Sequence, residues 1–183
     1  MAKGKNIVLL VFGLIISLGC IASSSNNLGR ELVIKTYNSQ LGVREATGKN
    51  DGKQVEMYLA QAKSSKGNPW CAAFLAWCFK QAKIETVNSA YSPSWFPVNK
   101  TIYARGLDRL NRKFTPKQGD VFGLYFQNLK RIAHVGFIDT WNQQGYIITV
   151  EGNTNEAGSR EGDGVYKKRR LKRQIYKVAN WID

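Results

Sequence analysis

The sequence predicts an α+β protein, with helices packed on an antiparallel β-sheet that follows them in the chain. Three observations carry this. In the first part of the chain, apolar residues recur at three- and four-residue intervals. From Thr115 onward they come instead in short β-prone runs separated by turn residues. The chain has 183 residues, 43% hydrophobic and 11% aromatic, which supplies a core for one domain plus an N-terminal extension.

Each element follows from its residues. Residues 29–43 read as a helix whose apolar face is Leu32, Val33, Thr36, Tyr37 and Leu41. After a polar loop from Arg44 to Gly52, Lys53–Lys63 repeats the pattern with Val55, Tyr58, Leu59 and Ala62. Asn68 is an expected N-cap and Pro69 a first helical residue. The helix they open, Trp70 to Lys83, is rich in Ala and aromatics and should be buried on most sides. Pro93 and Pro97 mark an irregular stretch, and a further helix is expected from about Val98 to Arg112. Five strands follow: Asp120–Phe126, Arg131–Trp141, Tyr146–Val150, Val165–Leu171 and Ile175–Trp181.

The N-terminus predicts export. Lys3 and Lys5 precede an apolar run, Ile7 to Leu18, that is short for a membrane span. Residues 1–22 read as a signal peptide with two open processing routes. Ser17-Leu18-Gly19-Cys20 resembles a lipobox, with Ser17 where a leucine is usual, and implies membrane attachment through a lipidated Cys20; the other route is cleavage after Ala22. Residues 23–28 read as a tether and 29–183 as the folded domain. The expected location is the periplasm, the outer membrane or the cell surface.

The formal net charge of +14 favours polyanionic partners. Much of it lies in Lys167, Lys168, Arg169, Arg170, Lys172 and Arg173. That run reads as a solvated strand edge guarded against pairing, or as a polyanion contact. Export and the lack of a recognised motif argue against nucleic acid. With one His and three Cys in separate roles, neither a zinc site nor a cofactor is expected.

Cys71 and Cys78 are seven residues apart on one predicted helix. Their Cα atoms would be about 10 Å apart, beyond the ~7 Å limit of a disulfide. Two free thiols in an exported protein need an explanation, and Cys71 supplies one. Near a helix N-terminus, unpaired N–H groups and the helix dipole favour its thiolate, the nucleophilic form. His134, the only histidine, lies in the apolar run Ile132–Ile138. Alternation puts Ile132, His134, Gly136 and Ile138 on one face. A hairpin at Asn142–Gly145 supplies a third partner. Folded about Asn142/Gln143, His134 lies opposite Glu151; folded about Gln143/Gln144, it lies opposite Asn153. Either side chain can accept from the imidazole and fix its tautomer.

Asn68-Pro69-Trp70-Cys71-Ala72-Ala73-Phe74, Gly119-Asp120-Val121, Ala133-His134-Val135-Gly136 and Glu151-Gly152-Asn153-Thr154 together resemble the CHAP amidohydrolase/peptidase family, from about Gly42 to Arg170. The resemblance implies a papain-like fold and cleavage of peptide or amide bonds in peptidoglycan. It makes Cys71 the nucleophile, His134 the base, and Glu151 and Asn153 polar helpers, with Glu151 the main orienting group. Trp70 stands where many members carry a glutamine that assists the oxyanion hole, so a second oxyanion donor is unassigned. Between Asp51 and Cys71 the only acid is Glu56, so the calcium site of some members is not expected. Glu45 is left outside the catalytic set, and Trp95 reads as packing in preference to a groove wall. Two other functions fit the same residues less well: a non-catalytic module holding an anionic wall polymer, and a papain-like acyltransferase.

Overall fold

The computed structural model describes residues 27–106, 114–142 and 144–183. The expected signal peptide with Cys20, and residues 107–112 of the helix expected from Val98, lie outside the described residues. Helix α1 covers residues 27–39, so the last two residues assigned to the tether are already helical. Helices α2 (Lys53–Gln61) and α3 (Cys71–Gln81) follow. The six strands are β1 (Thr101–Ala104), β2 (Val121–Phe126), β3 (Arg131–Trp141), β4 (Tyr146–Thr154), β5 (Gly164–Leu171) and β6 (Ile175–Ala179). They form one sheet in the order β1-β6-β2-β3-β4-β5, and each neighbouring pair is antiparallel. The architecture is α+β, as the sequence predicts.

Strand β1 corrects the helix expected from Val98 to Arg112. Thr101 pairs with Ala179 and Tyr103 with Val178. Thr101, Ile102 and Tyr103 favour extended backbone, and a pairing edge on β6 outweighs a weak helical periodicity.

Helix α3 is apolar from Cys71 to Phe79, and Ala72, Ala73, Phe74, Leu75 and Phe79 lie in the main core. Phe137 of β3 is the centre of that core, with ring centroids 5.0 Å from Tyr37, 5.9 Å from Phe74 and 5.4 Å from Phe79. Burying one such side chain stabilises the fold by about 1.5–3 kcal/mol. Trp95 stacks on Phe79 at 5.7 Å and is fully buried, so its role is packing. The other sheet face carries a second cluster: Phe122, Leu124, Ile138, Ile147, Ile175 and Val178. Strand β3 is thus covered on both faces, which is why its sequence is so apolar.

A bulge adjusts the expected alternation on β3. Leu124 pairs with His134, but Tyr125 pairs with Ile132, so Ala133 is an extra residue. Ile132 therefore joins Val135 and Phe137 in the main core instead of sharing the face of His134. Toward the site, the last β3–β4 pair is Phe137 with Val150. Beyond it the N-terminus of α3 closes on β4 at Gly152. A Cβ there would stand 2.7 Å from Trp70 Cζ3 and 2.9 Å from Phe74 Cβ, so only glycine allows the approach.

Candidate active site

Cys71 is the first residue of α3, with Trp70 as N-cap. This moves it two positions closer to the helix end than the Asn68-Pro69 signal suggests. The side chain of Asn68 is spent on Ser64 Oγ at 3.1 Å, and its backbone N–H closes a turn on the carbonyl of Ser65. Asn68 and Pro69 thus shape the approach to the helix without capping it. Cys71 gains from the shift, since dipole and unpaired N–H groups act most strongly in the first turn.

The sheet brings His134 and Glu151 together. His134 Nε2 lies 2.8 Å from Glu151 Oε2, and both side chains are fully buried. The strand register explains how. Phe137 opposite Val150 is the register folded about Gln143/Gln144; extended past this last pair, it would set His134 opposite Asn153 and Gly136 opposite Glu151. Yet the imidazole meets Glu151, on the diagonal, a reach open to a long side chain. Gly136 makes room for it: a Cβ there would sit 2.9 Å from Glu151 Cγ.

Asn153 serves elsewhere. With its amide oriented to satisfy both ends, its oxygen accepts from the Trp70 N–H at 3.0 Å and its nitrogen donates to the Gly162 carbonyl at 2.8 Å. It ties the N-cap of α3 to the end of β4, from a left-handed conformation (φ 54°) that asparagine tolerates. Glu45 makes a parallel tie, accepting from Trp70 Nε1 at 2.8 Å and from the Asn50 N–H at 2.9 Å. The indole is thereby committed and is not free to serve as an oxyanion donor.

Three further residues complete the site; the sequence reading placed none of them there, and it put Arg170 on the solvated basic edge, which its burial corrects. Thr149 Oγ1 donates to Glu151 Oε1 at 2.5 Å. Arg170 donates from Nε to Oε1 at 2.6 Å and from Nη2 to Oε2 at 2.5 Å. Ser92 Oγ lies 3.7 Å from Cys71 Sγ. Strand β5 is indeed a sheet edge, with Lys167 and Arg169 exposed, but Arg170 turns inward and is buried. Strand alternation already places Arg170 with Lys168 and Tyr166. The loop after β4 hides the offset that would bring it to Glu151. Ser92 lies in an irregular stretch and carries no sequence signal.

The electrostatics follow from these contacts. Burial alone would raise the Cys71 thiol. Interactions with His134, Ser92 and the Val135 N–H outweigh it and hold the thiol below the ordinary cysteine value. Burial would lower His134, yet its contacts with Cys71 and Glu151 raise it to about 9. Glu151 is held down at about 2: burial opposes this, and Arg170 and His134 overcome it. Nδ1 of His134 has no hydrogen-bond partner among the described residues, and Cys71 is the group that, with Glu151, raises the ring. Cys78, by contrast, is pushed well up by burial alone. Among the described residues no group of three or more His, Cys, Asp or Glu side chains stands ready to hold a metal ion.

The arrangement sets a cysteine at a helix N-terminus, its thiol held below the ordinary value, beside a histidine held above its own and bonded to a carboxylate. No curated protein and no solved structure matches the chain. Residues 63–153 match the family model of the CHAP domain, a family of hydrolases, and that stretch holds Cys71, His134, Glu151 and Asn153. This chain is a CHAP-domain protein.

Proposed function

We propose that the protein is a cysteine peptidase or amidase that hydrolyses peptide or amide bonds in bacterial peptidoglycan. The observation that carries this reading is the buried set of Cys71 at a helix N-terminus, His134 and the Glu151 carboxylate bonded to it, inside a CHAP domain, with His134 and Cys71 shifting each other's titration. The Cys71 thiolate attacks the scissile carbonyl carbon, and the carbonyl π electrons move onto oxygen. The first N–H groups of α3 stabilise that oxyanion. The tetrahedral species collapses, the C–N bond breaks, and His134 gives its proton to the leaving amine. The imidazole, neutral again, takes a proton from water as the water attacks the thioester. Collapse releases the carboxylic acid product and the Cys71 sulfur, and the thiolate–imidazolium pair is restored. Glu151 acts throughout by holding Nε2–H, which leaves Nδ1 for the thiol.

The proposed setting is outside the cytoplasm, with export directed by the N-terminal segment and attachment through Cys20. Palmitate labelling of wild type and Cys20→Ala tests the attachment; secreted, unlabelled protein beginning at Ser23 would leave export but remove the anchor.

Digestion of purified peptidoglycan, followed by mass spectrometry, tests the activity and names the bond. New free amine and carboxyl termini are expected, and none with Cys71→Ala. Retention on the wall without new termini would make the protein a binding module. Acyl groups joined to an added amine in place of water would make it a transferase.

A further inference from the structure

We propose that Arg170 is a positioning residue whose fixed charge balances Glu151, so that the Cys71–His134 ion pair forms in a buried site of zero net charge. This rests on Cys71 and His134 forming the reactive pair described above. Arg170 lies outside the stretch that matches the family model. Its guanidinium grips both carboxylate oxygens of Glu151 and also donates to the Gly158 carbonyl at 3.2 Å. Two-point contact of this kind fixes geometry as well as charge.

Arg105 and Arg173 share a cleft with Arg170 but are exposed, so the groups around the site leave Arg170 as the buried balancing cation. From α3 comes Cys71, and from the 3₁₀ turn Ser92–Trp95 comes the neutral Ser92. From β2, opposite His134, comes the apolar Leu124. From β4 come Glu151, the Thr149 hydroxyl donated to it, and Asn153, already engaged with Trp70. From β5, Tyr166 pairs with Glu151 but gives its hydroxyl to Asp163, and the Lys168 ammonium goes to the Glu156 carbonyl. Thiolate, imidazolium, carboxylate and guanidinium then sum to zero. Without Arg170 the same three ions would carry a net negative charge where little water screens it, and the thiolate would be the costliest to form. Without the charge of Glu151 the balance tips the other way, favouring thiolate and disfavouring imidazolium.

The test reads protonation directly. Iodoacetamide labelling of Cys71 against pH, mapped by peptide mass spectrometry, gives the acid limb of thiolate formation, with Cys78 as internal reference. The chain has one histidine, so NMR of histidine-labelled protein reports the His134 ring alone. In Arg170→Met the acid limb should move up by a pH unit or more, making labelling on the acid side of the wild-type limb about tenfold slower or worse. Arg170→Lys keeps the charge and should hold the limb within about half a unit of wild type. Glu151→Gln should move the limb down and lower the pH at which the ring titrates. The double variant Arg170→Met/Glu151→Gln should return the limb toward wild type. It leaves neither of the two charges unpaired, so it carries the test even if Arg170→Met does not fold. A folded Arg170→Met with an unmoved limb overturns the proposal, as does a double variant whose limb matches that of Glu151→Gln. None of these readings needs a wall substrate, so failure to digest peptidoglycan would be a separate result.

Discussion

Gly136 is where packing and chemistry meet, and Gly136→Ala should separate them. The added Cβ would stand 2.8 Å from Phe122 Cε1, 2.8 Å from the Val150 carbonyl oxygen and 2.9 Å from Glu151 Cγ. The Val150 oxygen belongs to strand backbone, and Phe122 is fully buried in the second cluster. The easiest group to displace is Glu151, and displacing it lengthens its bond to His134. Overpacking of this kind costs about 1–3 kcal/mol. Losing the orienting carboxylate of a triad can cost turnover up to about 10⁴-fold, so partial displacement should cost at least about tenfold. Urea unfolding gives the first quantity, and release of peptidoglycan fragments by the folded enzyme gives the second. Gly123→Ala is the control: its Cβ would meet Phe96 Cζ at 2.6 Å and Ile132 Cγ2 at 2.9 Å, in the main core and away from Glu151. Gly123→Ala should lose stability while the folded fraction keeps its turnover. If the two variants lose turnover in equal proportion to stability, the account of how Glu151 reaches His134 is wrong.

Three further outcomes are expected. Near pH 6, iodoacetamide should label Cys71 much faster than Cys78, since contacts lower one thiol and burial raises the other; His134→Ala should slow Cys71, and faster labelling of Cys78 would refute the ion pair. Asn153→Ala should cost about 1–2 kcal/mol by freeing the Trp70 N–H, yet leave the His134 ring titration in place; a shift as large as that from Glu151→Gln would mean that Asn153 acts on the imidazole after all. Stability should also depend on pH with a defined sign. The contribution of Glu151 is present above its unfolded value of 4.5 and is lost as pH falls toward about 2; that of His134 is full below 6.5 and is lost as pH rises through about 9. Urea melts of wild type and Glu151→Gln should therefore differ most between 4.5 and 6.5, and a wild-type advantage that grows toward acid would contradict the assignment.

Local rules made much of this site legible before the structure. A helix start placed Cys71, strand alternation placed His134, and a short hairpin left two candidates for the third partner. The hairpin register alone would have chosen Asn153, the residue it puts opposite His134 when extended past its last pair, Phe137 with Val150. What reversed the choice is a missing side chain: Gly136 leaves a space that a glutamate on the diagonal fills. The N-cap was misplaced for a related reason. The Asn68-Pro69 pair is a good local signal, but the Trp70 N–H is taken by Asn153, 83 residues further along. Strand β1 was read as helix because its pairing edge, β6, lies more than 70 residues away in sequence. Arg170 was hidden by the same kind of distance, since its place beside Glu151 depends on an offset set across the loop between β4 and β5.

The distribution of buried polar groups points to the site independently of any motif. Among the described residues, the buried polar or charged side chains are Ser92, Asp120, His134, Thr149, Glu151, Asn153, Thr154 and Arg170. Asp120 answers to Arg30 and the Lys117 N–H, and Thr154 to the Ser159 carbonyl. The other six converge on Cys71, His134, Glu151 or the N-cap that precedes Cys71. Burying polar groups costs stability unless each finds a partner, and here nearly all do. Glu151 alone accepts four hydrogen bonds, from His134, Thr149 and, twice, Arg170. Against that background one buried side-chain atom stands without a well-formed bond: Nδ1 of His134. A purely structural histidine would be expected to satisfy both nitrogens. The proposed mechanism has the imidazole exchange a proton with a thiol and then with a leaving amine, which needs one uncommitted nitrogen, and Nδ1 is the nitrogen without a partner among the described residues.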